Sequence, residues 1–271
     1  MFFGFSTYFL TNDSLSGVID RILESGFRVI ELSYEPPHLF DYNDGLIEKI
    51  DRLRAEGVAF SMHGPFLETN LGSYLDEIMC LSRKRASACL KLSARIGADP
   101  VVLHPGYSFF RKLKEFDAGL RDRFLNELKG IAAEARDLGV QVALENVFMS
   151  YFYFQNLDEF NGIVEAAPGI GVALDIGHAF ISKRAAKDPD PEGSILEDVR
   201  RMGIEHLFHV HLHNNDGTRD DHDFNEGSID MARVLSGLKD LGYTGKVVVE
   251  TLDAERLGFG PVIRKLEEIR P

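Results

Sequence analysis

The chain has 271 residues, a formal net charge of −13 and a pI near 5.1, with 44% hydrophobic and 27% charged residues. This composition is that of a globular protein and excludes disorder, while the length suits one α/β barrel of ~250 residues or two small domains. So acidic a surface repels a phosphate backbone. It disfavours nucleic acid as a partner unless a basic groove or bound cations are present.

The sequence contains no signal for export or for membrane insertion. The segment from Met1 to Leu10 lacks the basic residues and the long apolar core of a signal peptide, and no stretch supplies the ~20 apolar residues of a membrane span. Cys80 and Cys89 do not form a zinc-binding spacing, and their apolar surroundings predict buried thiols. We therefore expect a cytoplasmic protein without a membrane partner.

Along the chain, eight short apolar runs alternate with longer amphipathic stretches. This alternation is typical of parallel strands that are connected by crossover helices, and eight strands can close into a barrel. The runs are FFGFSTYF from Phe2, FRVIELSY from Phe27, AFSMHGP from Ala59, VVLHPG from Val101, QVALENV from Gln141, GVALDIGH from Gly171, LFHVHLHN from Leu207 and KVVVETL from Lys246.

The amphipathic stretches carry the start and stop signals of helices. Asn12-Asp13-Ser14 precedes the first stretch, as an N-cap does, and several stretches end in a glycine shortly before the next run. No linker divides the chain, because the segment Lys187–Glu192 is best interpreted as a loop that leads into a helix. The sequence thus predicts one (β/α)8 TIM-barrel domain over residues 1–271. The glycines that end the amphipathic stretches are Gly26, Gly57, Gly97, Gly139 and Gly242.

Ionisable residues fall at the ends of five predicted strands, where a strand buried on both faces should be apolar. In a barrel these ends converge on one mouth, which holds the active site in essentially every characterised case. Several carboxylates in one enclosed mouth repel one another unless cations neutralise them. The pattern therefore predicts a divalent-metal site. The five residues are His63, His104, Glu145, Asp175 and Glu250.

The seventh run adds a second group of candidate ligands. His209, His211 and His213 alternate along a strand and so share one face, with His209 the deepest. In the preceding run, His178 follows Asp175 by three residues and is expected to bind a neighbouring metal or the substrate. These donors include no thiolate, which suits Mn²⁺, Zn²⁺, Co²⁺ or Mg²⁺. A nucleotide-binding glycine motif and a nucleophile elbow are both absent.

The sequence resembles the xylose-isomerase-like barrel superfamily, which includes sugar and sugar-phosphate isomerases and epimerases and the class II apurinic endonucleases. The likeness spans nearly the whole chain and depends on the order and strand-end placement of short motifs. These motifs are His63-Gly64-Pro65-Phe66, Leu103-His104-Pro105-Gly106, Leu144-Glu145-Asn146, Leu174-Asp175-Ile176-Gly177-His178, Val210-His211-Leu212-His213, Asp220-Asp221-His222 and Val249-Glu250-Thr251.

The resemblance to the isomerase and epimerase branch implies one divalent ion, held by Glu145, Asp175, His211 and Glu250. It also implies that Glu145 and Glu250 are the paired acid and base, which move a proton at a carbon next to a carbonyl. His178 is then expected to contact a substrate hydroxyl, and Glu31 to add a polar contact. A sugar or sugar phosphate is the expected substrate.

The endonuclease branch implies a different reaction, zinc-dependent hydrolysis of a phosphodiester in abasic DNA, with up to three ions. Its ligand types are all present: His63 and His104 beside Glu145, the four residues above, and a third set of His178, Asp220 and His222. Three departures count against it. Ile176-Gly177 replaces that branch's threonine-cysteine, the loop from His211 to Asp220 is shorter, and Glu68-Thr69-Asn70 disturbs the motif after His63.

We expect one to three ions, with Zn²⁺ or Mn²⁺ as the preferred metals, and we favour the small-molecule branch. A barrel that binds metal or sugar without catalysis is the third alternative, which does not require both Glu145 and Glu250. Phenylalanine-rich segments, at Phe109-Phe110 and from Phe148 to Phe154, are expected to cover the substrate, to bury against a second subunit of a homo-oligomer, or to pack in the core.

Overall fold

The computed structural model describes all residues from 1 to 271, and its eight parallel strands close into a barrel in sequence order. Strand β1 pairs with both β2 and β8, which leaves no free edge. The predicted (β/α)8 fold is confirmed. The strands are β1 Phe2–Ser6, β2 Val29–Ser33, β3 Ala59–His63, β4 Ala98–Leu103, β5 Val142–Glu145, β6 Ile170–Asp175, β7 Leu207–Leu212 and β8 Lys246–Val249.

Helices connect the strands and surround the barrel, and three short 3-10 turns lie at His38–Asp41, Leu157–Glu159 and Ile204–His206. The α-helices are α1 Leu15–Glu24, α2 Asp44–Ala55, α3 Asp76–Ile96, α4 Lys114–Leu138, α5 Phe160–Ala166, α6 Ile176–Ala185, α7 Pro191–Met202, α8 Met231–Asp240, α9 Asp253–Leu257 and α10 Phe259–Ile269.

Local signals set several of these boundaries. The Ser14 side chain accepts a hydrogen bond from the Gly17 amide and caps α1, as predicted. Gly97 and Gly139 end α3 and α4 in the left-handed conformation, with φ of 63° and 68°, which a residue with a Cβ adopts only at a cost. The first strand is shorter than its apolar run, because a turn closed by the Leu10 amide and the Thr7 carbonyl diverts the chain after Ser6.

One prediction about the cysteines is wrong. Cys89 is buried as expected, but Cys80 lies on the exposed face of α3. The apolar periodicity of this region indicated a helix without showing how its first turns face the solvent. The structure contains no helix that is long and apolar enough to cross a membrane.

The barrel has an apolar outer layer and a largely polar interior. A cluster of 61 buried hydrophobic residues fills the space around the strands and under the helices. Inside the barrel only Val102, Ala143 and Ala173 form a separate small apolar cluster. The buried side chains of Glu31, His209 and His211 occupy the same interior. Burying such charged groups is costly unless they are paired, so the interior is a functional feature that packing alone does not explain.

Candidate metal centre

The nine residues predicted as metal ligands meet at the carboxyl end of the barrel. Glu145, the last residue of β5, lies at the centre of the first group. Its Oε2 is 3.4 Å from His63 Nε2, 3.3 Å from His104 Nε2 and 3.5 Å from His211 Nδ1. His63 ends β3, and His104 directly follows β4. Three imidazoles, from β3, from the end of β4 and from β7, therefore lie around one carboxylate oxygen.

Asp175 and Glu250 complete this group from β6 and from the end of β8. His211 Nδ1 lies 4.0 Å from Asp175 Oδ2 and 3.6 Å from Glu250 Oε2. The Asp175 and His211 side chains are fully buried, whereas Glu145 and Glu250 line a cavity that opens at the mouth. We call Glu145, Asp175, His211 and Glu250 the inner cluster.

A second group lies beside the inner cluster. Asp220 Oδ2 is 3.1 Å from both His178 Nε2 and His222 Nε2, and Asp220 Oδ1 is 3.7 Å from His213 Nε2. The potential ligand atoms of these four residues lie within 4.8 Å of one another. We call them the outer cluster. It includes His213, a candidate ligand of the seventh run that the sequence motifs did not assign to any of the metal sets.

Backbone carbonyls orient most of these imidazoles. Nδ1 of His63 faces the Gly64 carbonyl at 3.0 Å, and Nδ1 of His178 faces the Asn146 carbonyl at 3.0 Å. His222 faces the Glu250 carbonyl at 3.3 Å in the same way. A carbonyl only accepts, so Nδ1 carries the proton and the Nε2 lone pair is available to a cation. For His178 this nitrogen points to Asp220, which assigns its ring to the outer cluster.

His211 has the opposite orientation because a buried carboxylate replaces the carbonyl. Its Nε2 lies 2.9 Å from Glu31 Oε1, and the other Glu31 oxygen lies 2.8 Å from His209 Nε2. Nδ1 of His211 is thereby directed at the inner cluster. The expected role of Glu31 as a polar contact to substrate is wrong, because its side chain is fully buried among these imidazoles and does not line the cavity.

Glu31→Gln is expected to weaken divalent-metal binding by about 10–100-fold, as is typical when a carboxylate that orients a metal-bound histidine is changed. The glutamine amide can turn its NH2 group toward Nε2 of His211, so that Nε2 accepts a hydrogen bond and the ring proton moves to Nδ1. Nδ1 of His211 is then no longer free to bind a cation. Isothermal titration with Mn²⁺ measures the change, and Glu35→Gln is the control, because Glu35 is also buried but bonds to Arg85 and the 66–67 backbone. Equal affinities in both variants would contradict the assignment.

The two clusters contain buried polar atoms that lack a partner. Of eleven buried side-chain nitrogen and oxygen atoms without a hydrogen bond, four belong to the two clusters. Three are carboxylate oxygens and one is an imidazole nitrogen, which are the donor types that Mn²⁺ and Zn²⁺ accept. Buried polar atoms in proteins usually have a partner, and these four lie together at the mouth, so the residues fit a divalent metal. The atoms are Glu145 Oε2, Asp175 Oδ2, His211 Nδ1 and Asp220 Oδ1.

In the absence of metal, protonated imidazoles neutralise the buried carboxylates. Burial raises the pKa of Glu145, but His104 and His211 outweigh it, and the pKa lies well below its usual range. Burial lowers the pKa of His63, but Glu145 outweighs this effect and raises it to about 9. Burial lowers the pKa of His211 as well, and Glu31 and Glu145 raise it well above its ordinary value. Metal and protons therefore compete for the same imidazoles.

This competition predicts that metal stabilises the protein more at higher pH. The pKa of histidine in the unfolded chain is ~6.5. In the metal-free protein, the raised pKa of His63 therefore contributes stability that is complete below pH 6.5. This contribution is lost as the pH rises toward about 9. Metal affinity is expected to increase by up to about tenfold per pH unit over this range, because one proton is displaced. Thermal melts with and without Mn²⁺ at pH 6.5, 7.5 and 8.5 measure the difference, and a constant gain would contradict the prediction.

Gly177 and His213 form a complementary pair that the sequence did not reveal. A Cβ built on Gly177 would overlap the imidazole of His213. The ring uses that space to place Nε2 3.0 Å from Asp175 Oδ1, and it stacks on His222 at 4.1 Å between ring centroids. The only signal in the sequence was glycine directly before His178, where the endonuclease branch has cysteine.

Gly177→Ala is expected to lower the free energy of unfolding by about 1–3 kcal/mol, the typical cost of overpacking a filled site. In the double variant with His213→Ala most of this loss should be recovered, because the methyl group then occupies vacated space. Urea unfolding measures both effects. Gly119→Ala is the control, since a Cβ there meets nothing within 4 Å on the exposed face of α4. Strictly additive losses in the double variant would refute the steric pairing.

Aromatic side chains surround the mouth above the imidazoles. Phe66 stacks on His104 at 4.7 Å, Phe9 packs on His222 at 4.8 Å and Phe148 on His178 at 5.3 Å. Tyr8 lies 6.2 Å from His63, and burial, with Glu250, raises the pKa of its phenol to about 12. The hydroxyl therefore stays protonated at neutral pH, and Tyr8 lines the cavity. Phe148 and Phe152 line the cavity, as predicted for a covering segment, whereas Phe109 is exposed outside it.

A closed parallel barrel with imidazoles and carboxylates gathered at the carboxyl ends of its strands defines a class of (β/α)8 proteins with a polar, metal-compatible mouth. Within this class, the chain belongs to the xylose isomerase-like TIM barrel family, whose model matches residues 19–268. The resemblance inferred from the motifs is therefore confirmed.

Similar proteins cover nearly the whole chain. The protein MJ1614 of Methanocaldococcus jannaschii is 29% identical over 267 residues, which are 97% of this chain and 96% of that protein. The solved structure of a D-tagatose 3-epimerase-like protein has a TM-score of 0.82 and 26% identity, covering 99% of this chain and 98% of that one. D-psicose 3-epimerase from Clostridium cellulolyticum H10, at 21% identity, TM-score 0.70 and 92% and 84% coverage, shows the shared fold alone.

Proposed function

We propose that this protein is a divalent-metal-dependent sugar isomerase or epimerase in which Glu145 and Glu250 transfer the proton. The observation that carries the proposal is the position of these carboxylates. They enter one cavity from β5 and from the end of β8, directly beside the fully buried Asp175 and His211. A sugar in the cavity would therefore lie between two carboxylates. The similarity to a D-tagatose 3-epimerase-like protein, at 26% identity, agrees with this reaction class.

In this mechanism one glutamate removes a proton from the carbon next to the substrate carbonyl, the electron pair of that C–H bond forms a carbon–carbon double bond, and the π pair of the carbonyl moves onto its oxygen. In an epimerase the other glutamate returns a proton to the same carbon from the opposite face, and the carbonyl forms again. In an isomerase a proton is returned to the former carbonyl carbon, and the proton of the neighbouring hydroxyl passes to the former carbonyl oxygen, so that the new carbonyl forms at the neighbouring carbon. A cation held by the inner cluster would polarise the carbonyl and neutralise the negative charge that develops. The hydroxyl of Tyr8 is positioned to donate a hydrogen bond to the substrate, and a contact from His178 to a substrate hydroxyl stays a prediction.

Solvent exchange tests this function directly. Manganese-loaded protein is incubated in D2O with a panel of free aldoses, ketoses and their phosphates, and deuterium at the carbon next to the carbonyl is measured by NMR. We expect exchange with at least one sugar and its loss after chelation. Neither turnover nor exchange over the whole panel would contradict the proposal.

The outer cluster supports a second candidate, hydrolysis of a phosphodiester in abasic DNA. Asp220 Oδ2 lies 3.1 Å from Nε2 of both His178 and His222. Donor atoms this close together are what a further metal ion would require. Zinc-loaded protein should then incise a duplex with one abasic site, and His222→Ala should abolish the incision. Three ions per chain by elemental analysis would favour this reaction, whereas one ion on the inner cluster favours isomerisation. No incision with zinc supplied would exclude it.

A further inference from the structure

The cavity that contains the carboxylates also reaches residues of α3. It has a volume of about 340 Å³, and its lining includes Leu71, Ser82, Ala86 and Leu103, all of which are buried. Pockets of ~300–1,000 Å³ typically enclose drug-sized ligands. We call the part of the cavity lined by these four residues the side chamber. It lies inside the protein, so a molecule that fills it leaves water.

The polar groups near the side chamber are already engaged in hydrogen bonds. The Ser82 hydroxyl donates to the Ile78 carbonyl at 2.7 Å and accepts from the Asn70 amide at 2.8 Å. The Asn70 side-chain oxygen accepts from the amides of Gly72 and Tyr107, and its NH2 group donates to the Tyr107 carbonyl. The chamber thus offers little to a sugar hydroxyl, although it offers apolar contact.

Aromatic and aliphatic side chains also line the cavity. They include Phe66, Val147 and Phe152, and Phe66 and Phe152 are only partly buried. Such surfaces bind apolar groups by excluding water, at about 25 cal/mol per Å² of apolar area.

No lysine or arginine lines the cavity. Two arginines do bond to the mouth loops, but both are engaged. Arg85 pairs with buried Glu35 at 2.9 Å and donates to the Leu67 carbonyl. Arg111 donates to the Phe152 carbonyl at 3.1 Å and faces Asp117 at 3.5 Å. A phosphate on the substrate would find no cation at this end, where the protein presents apolar side chains.

From these contacts we infer that the substrate is an uncharged sugar that carries an apolar substituent, alkyl or aromatic, at the end remote from the reacting carbon, and that it is not a sugar phosphate. The inference rests on the proposed function for the orientation of the sugar. The polyhydroxylated end faces Glu145, Glu250 and the Tyr8 hydroxyl, and the substituent fills the side chamber.

Calorimetric titration of manganese-loaded protein with ketohexoses substituted at the terminal oxygen tests the inference. The probes are the parent sugars fructose, tagatose and psicose, their 6-O-methyl, 6-O-propyl and 6-O-pentyl ethers, and their 6-phosphates. We expect Kd to fall by about fourfold per buried methylene until the chamber is full, and the phosphates to bind no more tightly than the parents. Affinity independent of chain length, or a phosphate that binds tenfold more tightly than its parent, would overturn the inference.

Ala86→Leu should abolish the dependence of Kd on chain length without changing the metal content, and Leu71→Ser is the second variant if Ala86→Leu does not fold. Leu75→Ala, at an exposed leucine just before α3, is the matched control. A sugar-free probe separates the two proposals. Cyclohexanol should shift the methyl NMR signals of Ala86 and Leu71 whether or not deuterium exchange occurs, and the absence of such a shift would overturn the chamber assignment alone.

Discussion

Metal-free protein is expected to gain about 8 °C or more in Tm when Mn²⁺ or Zn²⁺ is added at 1,000 times its Kd, since ligand at this excess contributes about 4.1 kcal/mol and ~2–4 °C follow from each kcal/mol in a domain of this size. The gain has a structural cause. Glu145 Oε2, Asp175 Oδ2 and His211 Nδ1 are buried without a hydrogen-bond partner, and a cation would satisfy all three. Asp175→Asn is expected to raise the Kd by about 100-fold or more and to reduce the gain at the same metal concentration to about 3 °C.

Asp198→Asn is a suitable control for this experiment. Its carboxylate pairs with Lys183 between α6 and α7, away from both clusters. This variant should keep the full gain in Tm. Elemental analysis of protein purified without added metal provides a second measurement. If the wild-type protein contains no stoichiometric metal and its Tm is unchanged by Mn²⁺ and Zn²⁺, the metal centre is refuted, and a barrel without metal-dependent catalysis becomes the better description.

Glu250→Gln is expected to lower kcat for isomerisation or deuterium exchange by about 10³-fold, within the ~10²–10⁴-fold range of general acid–base catalysis. The amide keeps the size of the side chain and an oxygen that can contact a cation, but it cannot accept a proton from carbon. The measurement is made at saturating Mn²⁺, so that weaker metal binding does not contribute. Restoration of wild-type kcat at high metal concentration would show that Glu250 is a ligand alone.

Glu145→Gln should produce a similar loss of kcat. Deuterium exchange at the reacting carbon should be abolished in the direction of the reaction in which Glu145 is the base. Glu68→Gln is the matched control, because Glu68 lies in the mouth loop between β3 and α3 but its side chain is exposed. An equal loss in Glu68→Gln would indicate that the charge of the mouth, and not proton transfer by Glu145 and Glu250, governs the rate.

The barrel and most of its candidate ligands could be predicted because both depend on local features of the chain. The repeat of apolar runs and amphipathic stretches predicts strands and helices one element at a time. Parallel strands then bring their carboxyl ends to one mouth. His63, Glu145 and Asp175 are the last residues of their strands, so their convergence follows from the position of each in its own strand.

The roles of Glu31, Gly177 and His213 depended on contacts between elements that are distant in sequence. Glu31 lies on β2, and only the closed barrel brings it against His209 and His211 of β7. Gly177 lies in the first turn of α6, and the space that it leaves is filled by a ring from the segment after β7. Neither periodicity nor residue type specifies which nitrogen of a histidine faces which partner.

The sequence by itself determined the eight-stranded architecture, the family, and the set of imidazoles and carboxylates at the mouth, because backbone periodicity and strand-end position are local properties. Only the tertiary structure decided that His213 joins the outer cluster, which nitrogen of each ring is free, and that the cavity beyond the clusters is apolar and without cations. These properties arise from hydrogen bonds and packing among side chains that separate elements bring together.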